Sequence, residues 1–290
     1  MVTPVDATLA HSRLSRDLLA HQVELVCVLE VSAPKPGNIT PGHDFADTTY
    51  ADMVRSAIAL GPSFSHRRAR ARGVGALIAD GVRATARVTD ANTNLGIVLL
   101  LAPLVRAEAT RRADESLRSA IDRTLGQLDV DDAVAAFAAI VQAHPGGLGE
   151  APEHDVRAPA RVSLRDAMAA AAHRDSIASE YATGYAIVFD TGLPLLTEAL
   201  AAGARTLDAI VSLHVGLLAS HRDTLIERKA GAAAAKAVTA AAREVRAGTR
   251  TLEEFDASLR GPDHRLNPGT TADLVAATLL VALLTGVALP

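Results

Sequence analysis

Aromatic residues and cysteine are scarce in this 290-residue chain. Aromatic side chains make up 3% of it, there is no tryptophan, and Cys27 is the single cysteine. One cysteine excludes internal disulfides and cysteine-rich metal sites. Since hydrophobic residues still account for 49% of the chain, the core must consist of alanine, leucine and valine, which favours closely packed helices. Cys27 falls on an apolar helical run, where we expect a buried thiol.

Basic surfaces and long apolar segments are also missing. The net charge is −4, and no basic face of the kind that nucleic-acid-binding proteins carry is visible. Residues 274–289 are the most apolar segment, but they are too few for a membrane span and Asp273 stands at their head. Residues 1–14 show no continuous apolar run, so no signal peptide is expected. The sequence predicts a cytoplasmic protein that binds neither nucleic acid nor membrane.

Helical spacing of apolar residues recurs along the chain, and no β-rich run or repeat of fixed period interrupts it. We therefore expect an all-α fold of ten or more helices, a single domain over residues 1–290, with the functional site built from inter-helix loops. Neither a P-loop nor a G-x-G-x-x-G motif is present, which disfavours the common nucleotide-binding α/β folds.

The most informative stretch is residues 30–45, which cannot continue a helix because they hold three prolines and two glycines. The stretch also carries an acid, an amine, an amide, an imidazole and a second acid on a stiffened backbone. Such a loop suits a polyanion or a metal–phosphate site. The alternative is an ordinary turn between two helices. The polar side chains are Glu30, Lys35, Asn38, His43 and Asp44.

Three other features leave alternatives open. The arginine-rich run 66–72 is either a solvated turn or a phosphate-docking surface. Tyr181, Tyr185 and Phe189 recur every four residues, which indicates core or interface, or otherwise a base-stacking wall. The long loop 144–159 is a lid or a disordered insertion, and its histidines are expected to be exposed.

Four motif stretches occur in an order that resembles one enzyme family. They are Glu30-Val-Ser-Ala-Pro-Lys-Pro-Gly37 followed by His43-Asp44, then Thr89-Asp-Ala-Asn-Thr-Asn-Leu-Gly96, Asp223-Thr-Leu-Ile-Glu-Arg-Lys229 and Asn267-Pro-Gly-Thr-Thr-Ala-Asp-Leu274. This set is similar to that of the triphosphoribosyl-dephospho-CoA synthase family. The chain departs from it at Asn94-Leu95, where the family has His-Lys, at Leu225 in place of asparagine, and at Thr270-Thr271 in place of Gly-Ser.

The resemblance implies a transferase that joins ATP to 3′-dephospho-CoA. The 2′-hydroxyl of dephospho-CoA attacks C1′ of the ATP ribose, adenine leaves, and Mg²⁺ is expected at the triphosphate. Each role has candidates. The general base would be Glu30 or His43; the ATP and phosphate ligands would be Lys35, Asn38, Asn92, Asn94, Arg228 and Lys229; the metal ligands would be Asp44, Asp223 and Asp273; and Glu180 is a further candidate for the site.

Structural roles compete with several of these assignments. Asp223 is placed to cap a helix, and an acid at Asp273 is favourable for the dipole of the last helix alone. Thr270 or Thr271 is expected to cap that last helix. The other functions considered are ribosyl-phosphate transfer to an acceptor in one-carbon cofactor biosynthesis, Mg²⁺-dependent N-glycoside hydrolysis, and a non-catalytic helical scaffold. A homodimer is left open.

Overall fold

The structure is a computed structural model that describes residues 4–145, 151 and 153–289, with the side chains of the first helix from residue 18 onward. Over those residues the chain forms fifteen α-helices and no β-strand, which confirms the all-α prediction. The helices are α1 (Pro4–Ser32), α2 (Tyr50–Leu60), α3 (His66–Ala71), α4 (Val74–Thr85), α5 (Leu95–Ala109), α6 (Leu117–Gly126), α7 (Val130–Ala143), α8 (Leu164–Ala171), α9 (Ser176–Thr183), α10 (Leu193–Ala201), α11 (Thr206–Ser220), α12 (Thr224–Ala230), α13 (Ala232–Arg246), α14 (Leu252–Leu259) and α15 (Gly269–Leu284).

Two helices that are apolar on every side, α5 and α15, form the centre of the molecule. All residues from Leu274 to Ala282 are buried, as are nearly all residues of α5. A helix that is hydrophobic all round must be surrounded by other elements, and α5 and α15 pack against each other and against neighbouring helices. The buried helix expected after Asp273 is thus confirmed. No helix in the described part of the chain is long and apolar enough to cross a membrane.

Tyr181 and Tyr185 tie α9 and the turn after it to α5. Pro103 lies inside α5 and has no amide hydrogen, so the Leu99 carbonyl lacks its helical donor. The Tyr181 hydroxyl donates to that carbonyl at 2.6 Å, and the Tyr185 hydroxyl donates to the Leu100 carbonyl at 2.6 Å. Both rings are fully buried, so these tyrosines belong to the core and form no base-stacking wall.

Helix caps account for several boundaries. Thr49 and Asp52 form a capping box that starts α2. The prediction that Thr270 or Thr271 caps the last helix is wrong, because α15 begins at Gly269 without a side-chain cap. Asp175 caps the start of α9, and Gly184, at a φ of 68°, ends that helix.

The prediction that Cys27 is buried is confirmed, and burial raises the pKa of its thiol above the ordinary value.

The fold positions the site through the three loops that precede α2, α5 and α15. These loops lie together next to the C-terminal end of α1.

Candidate active site

A cavity of about 1010 Å³ opens among the loops before α2, α5 and α15 and the adjacent ends of α1, α9 and α12. Its walls include residues from all four motif stretches identified in the sequence. These are Glu30 and Asn38 from the first stretch, Asn92 and Asn94 from the second, Arg228 and Lys229 from the third, and Asn267 and Asp273 from the fourth. Tertiary packing therefore brings together segments that lie more than 200 residues apart in the chain.

A buried ion pair lies at one edge of this cavity. Lys35 Nζ lies 2.9 Å from Glu30 Oε1 and also donates to the Glu30 main-chain carbonyl. Glu30 lines the cavity, whereas the fully buried Lys35 does not. Two residues after Lys35 the loop turns at Gly37, whose φ of 78° favours glycine. A Cβ at this position would also lie 2.9 Å from both Leu259 and Pro268. Lys35, predicted to contact phosphate, here holds Glu30.

Asp273 presents a carboxylate that has no hydrogen-bond or ion-pair partner among the described residues. It lines the cavity and lies so close to Gly96 that a Cβ at that glycine would be 1.9 Å from its Oδ2. Burial, and then the nearby charges of Glu30 and Asp223, raise the pKa of Asp273 well above its ordinary value. Glu30 and Asp273 both line this cavity, and the unpartnered carboxylate of Asp273 is a candidate position for a metal ion or a proton.

His214, which no sequence pattern singled out, supports the proline-rich loop from behind. Its ring is fully buried, and since Nε2 lies 3.3 Å from the Pro36 carbonyl, Nε2 carries the hydrogen and Nδ1 has no partner. Burial, and secondly the charge of Lys35, lower the pKa of His214 to about 3, so the ring is neutral. A lone histidine on an apolar helix carries no signal that would reveal this contact.

Some asparagine side chains at the cavity only stabilise the protein, whereas others keep an amide atom that could bind a ligand. Asn92 Oδ1 accepts from the amide of Leu95, the first residue of α5, at 3.2 Å, while the N-cap residue Asn94 forms no side-chain cap. Asn94 Oδ1 accepts from the Thr85 hydroxyl at 2.9 Å, while its Nδ2 has no partner. Asn38 Nδ2 donates to Asn267 Oδ1 at 2.7 Å, and Asn38 Oδ1 has no partner. Asn38 and Asn94 thus each keep one amide atom that is not satisfied by the protein.

Three cationic side chains line the cavity among the described residues: Arg174, Arg228 and Lys229. Arg228 pairs with Asp175, which also accepts the Ile177 and Ala178 amides as the cap of α9. The sequence analysis did not identify Arg174 as a site residue. The only signal for it in the sequence is its position next to Asp175, which caps α9. Together the three side chains give this wall the positive charge that a triphosphate requires.

Besides Lys35, three predicted site residues lie outside the walls of the main cavity. His43 and Asp44 are exposed and line a smaller neighbouring cavity, and Asp44 Oδ1 accepts from the Tyr50 amide at 2.6 Å. Asp223 is buried and accepts four hydrogen bonds, two from the Leu225 and Ile226 amides and two from Thr271. These bonds join α12 to α15. Because they use all the lone-pair sites of the carboxylate, the position of Asp223 does not support the predicted metal role.

Glu180 and the arginine-rich run also lie apart from the cavity walls. Glu180 accepts the Ile187 and Val188 amides at 2.9 and 3.0 Å, and burial raises the pKa of its carboxyl to about 7. Arg68 and Arg72 form ion pairs with Asp80. These contacts give Glu180 and the two arginines structural partners.

The loop 144–159 contributes His144, Glu153, His154 and Asp155 to the cavity wall, while residues 146–150 and 152 lie outside the described residues. Within the part of the chain that the structure describes, no three histidine, cysteine, aspartate or glutamate side chains converge to hold a metal ion by themselves. A metal at this site would therefore need ligands from a substrate or from water.

Comparison with known proteins agrees with the motifs. A family model for ATP:dephospho-CoA triphosphoribosyl transferase matches residues 16–288. Among solved structures, the chain is similar to a protein from Archaeoglobus fulgidus described as a candidate triphosphoribosyl-dephospho-CoA synthase, with 26% sequence identity, a TM-score of 0.64, and coverage of 80% of this chain and 99% of that one. No curated protein sequence matches the chain significantly. The family model spans almost the whole chain, and the chain belongs to the ATP:dephospho-CoA triphosphoribosyl transferase family.

Proposed function

We propose that the main cavity is the active site in which this chain transfers the triphosphoribosyl group of ATP to 3′-dephospho-CoA and releases adenine. The observation that carries the proposal is the convergence of all four motif stretches on one cavity. Its volume, about 1010 Å³, is at the upper end of the roughly 300–1,000 Å³ of ligand pockets, as expected for a site that must hold parts of two nucleotides.

Arg174, Arg228 and Lys229 bind the triphosphate in this proposal. Arg228 is held in place by Asp175, so its guanidinium is already oriented before ATP arrives. Arg174 and Lys229 have no side-chain partner among the described residues, which leaves both charges available. Arginine offers paired N–H donors to phosphate oxygens, and lysine offers a mobile point charge.

The charge balance of the cavity supports a requirement for Mg²⁺. Among the described residues, eight carboxylates line the cavity against three permanent cations. Two polyanionic substrates would be repelled by such a wall unless a divalent cation accompanied them. Mg²⁺ commonly takes one or two carboxylates and completes its coordination with phosphate oxygens and water, and Asp273, whose carboxylate has no partner among the described residues, fits that donor set. The bound ion would neutralise charge on the triphosphate.

Glu30 is the general base in this proposal, since it lines the cavity and His43 does not. Lys35 holds the carboxylate at the cavity edge. The carboxylate takes the proton of the acceptor 2′-hydroxyl as the new bond from that oxygen to C1′ forms. The C1′–N9 bond breaks, and the departing adenine takes up a proton. Exclusion of bulk water by the filled cavity prevents hydrolysis of ATP at C1′.

The test is incubation with ATP and Mg²⁺, with and without dephospho-CoA, followed by mass analysis of adenine and product. The proposal expects adenine and triphosphoribosyl-dephospho-CoA in equal amounts, and only when the acceptor is present. Adenine release without acceptor would show an N-glycoside hydrolase instead. No adenine under either condition, while other nucleotide acceptors yield a ribosylated product, would show a divergent transferase.

Variants of the cationic wall sharpen the test. Lys229→Ala and Arg174→Ala should each raise the KM for ATP by roughly tenfold, the scale of a charge-assisted hydrogen bond. Arg222→Ala is the matched control, because Arg222 pairs with Glu227 on an exposed surface and does not line the cavity. If the control and the wall variants behave alike, the triphosphate binds elsewhere.

A further inference from the structure

A second cavity of about 240 Å³ adjoins the main one and is lined by two motif residues, His43 and Asp44, that do not line the main cavity. It is lined by His43, Asp44 and Arg260, and it shares Phe45 and His264 with the main cavity. Its volume is below the roughly 300 Å³ at which pockets begin to hold a whole small-molecule ligand, so it suits one ring system of a larger molecule.

The partition between the two cavities is an aromatic pair. The rings of Phe45 and His264 stack with their centroids 3.9 Å apart and their planes 13° apart. The Ala46 amide donates to His264 Nε2 at 3.4 Å, which links the loop before α2 to the loop before α15. His264 adopts a φ of 49°, and such left-handed residues are often held in place at ligand sites.

The charges around the small cavity favour a neutral group over a phosphate. Arg260 makes two hydrogen bonds of 2.8 Å to Asp256, so its charge is already compensated. Asp44 adds a carboxylate of which one oxygen, Oδ1, is used by the Tyr50 amide. A phosphate would meet net negative charge here, whereas a purine has a ring face for stacking and both an amino donor and nitrogen acceptors on its edge.

We propose that the small cavity, with Phe45 as its stacking face, binds the adenine of the acceptor nucleotide. The inference rests on the proposed function, in which the attacking 2′-hydroxyl belongs to the adenosine ribose of dephospho-CoA. The acceptor's adenine is then one ribose away from the reacting carbon, so its subsite must adjoin the main cavity. Of the two phenylalanines on the main cavity wall in the described residues, Phe137 is 6% exposed in the core and Phe45 is the accessible one.

The experiment compares Phe45→Leu and Phe45→Tyr with the parent protein. Leucine keeps apolar volume and removes the π-face, whereas tyrosine keeps the ring and serves as the matched control. Because stacking binds ground state and transition state alike, Phe45→Leu should raise the KM for dephospho-CoA roughly tenfold and leave kcat and the KM for ATP unchanged. Phe45→Tyr should stay within about twofold of the parent. Calorimetry with 4′-phosphopantetheine, which lacks adenosine, should give the same affinity for all three proteins.

Two results would overturn this subsite while leaving the proposed function intact. The first is a parent-like KM for dephospho-CoA in Phe45→Leu. The second is a raised KM for ATP in Phe45→Leu with no change in the KM for dephospho-CoA, which would assign the ring to the leaving adenine. Absence of adenine release by the parent protein would instead reject the proposed function, and with it this subsite. Thermal unfolding of both variants separates a local effect from misfolding.

Discussion

Lys35 Nζ lies 2.9 Å from Glu30 Oε1, and the two residues are 0% and 2% exposed. The pair joins the last turn of α1 to the proline-rich loop that follows it. Glu30 also raises the pKa of Asp273 through its charge, so the ion pair includes one of the acids at the cavity edge. A residue that looks like a phosphate ligand in the sequence is therefore part of the support for the proposed base.

Lys35→Met should destabilise the protein strongly, because it leaves Glu30 buried without its cation. Removing one partner of a buried ion pair costs about 3–5 kcal/mol of unfolding free energy, which chemical denaturation can measure. The Lys35→Met/Glu30→Gln double variant should lose less than the sum of the two single losses. Parent-like stability of Lys35→Met combined with weaker ATP binding would restore the phosphate role.

Tyr181→Phe should lower the unfolding free energy by about 1–2 kcal/mol, because the Leu99 carbonyl would lose its donor in a buried position. Pro103 is the reason that this carbonyl depends on the tyrosine. In a Pro103→Ala background the helix supplies the missing amide, so Tyr181→Phe should cost less there than in the parent. Equal costs in both backgrounds would contradict this account of the contact.

His214 should make the protein less stable as the pH falls below 6.5. The pKa of this histidine is lowered to about 3 in the folded protein, from an ordinary value near 6.5. Because the pKa is lowered in the folded protein, the contribution of His214 to stability is complete above pH 6.5. It is lost as the pH falls towards 3, by about 1.4 kcal/mol per unit.

Denaturation of His214→Gln across this pH range tests the prediction. Glutamine keeps a donor for the Pro36 carbonyl and cannot titrate, so the slope should flatten. His173→Gln is the matched control, since His173 is exposed, and it should keep the parent slope. Identical slopes for the His214 variant and the parent would refute the assignment.

Asp273→Asn should stabilise the protein in the absence of divalent cations. The pKa of Asp273 is raised in the folded state, so its contribution to stability is complete below the ordinary value and is lost as the pH rises through the raised one. At pH 8 the variant should therefore unfold at a higher temperature than the parent. Mg²⁺ should raise the unfolding temperature of the parent in the presence of ATP and have a smaller effect on the variant.

The control for this comparison is Asp263→Asn, whose carboxylate also lines the cavity but is 59% exposed. It should leave both the melting temperature and the Mg²⁺ response near those of the parent. If Asp273→Asn keeps the full Mg²⁺ response, the ion binds away from Asp273 and the metal assignment fails.

The all-helical fold and most helix positions were predictable from sequence because they depend on local patterns. The buried α15 follows from an apolar run without charge, and the start of α2 follows from the Thr49 cap. The motif stretches also indicated Arg228, Lys229 and Asp273, which do line the cavity. Spacing along a helix and cap chemistry act over a few residues, so one sequence is enough to see them.

What each polar residue contacts was decided by packing between distant segments. Asp223 receives two of its hydrogen bonds from Thr271, 48 positions later, and Lys35 is next to His214 because α11 packs behind the loop. Arg174, two residues before α9, lines the cavity, and α9 packs against α15. Motif spacing gives the order of such residues along the chain, whereas their partners depend on the three-dimensional arrangement of the helices.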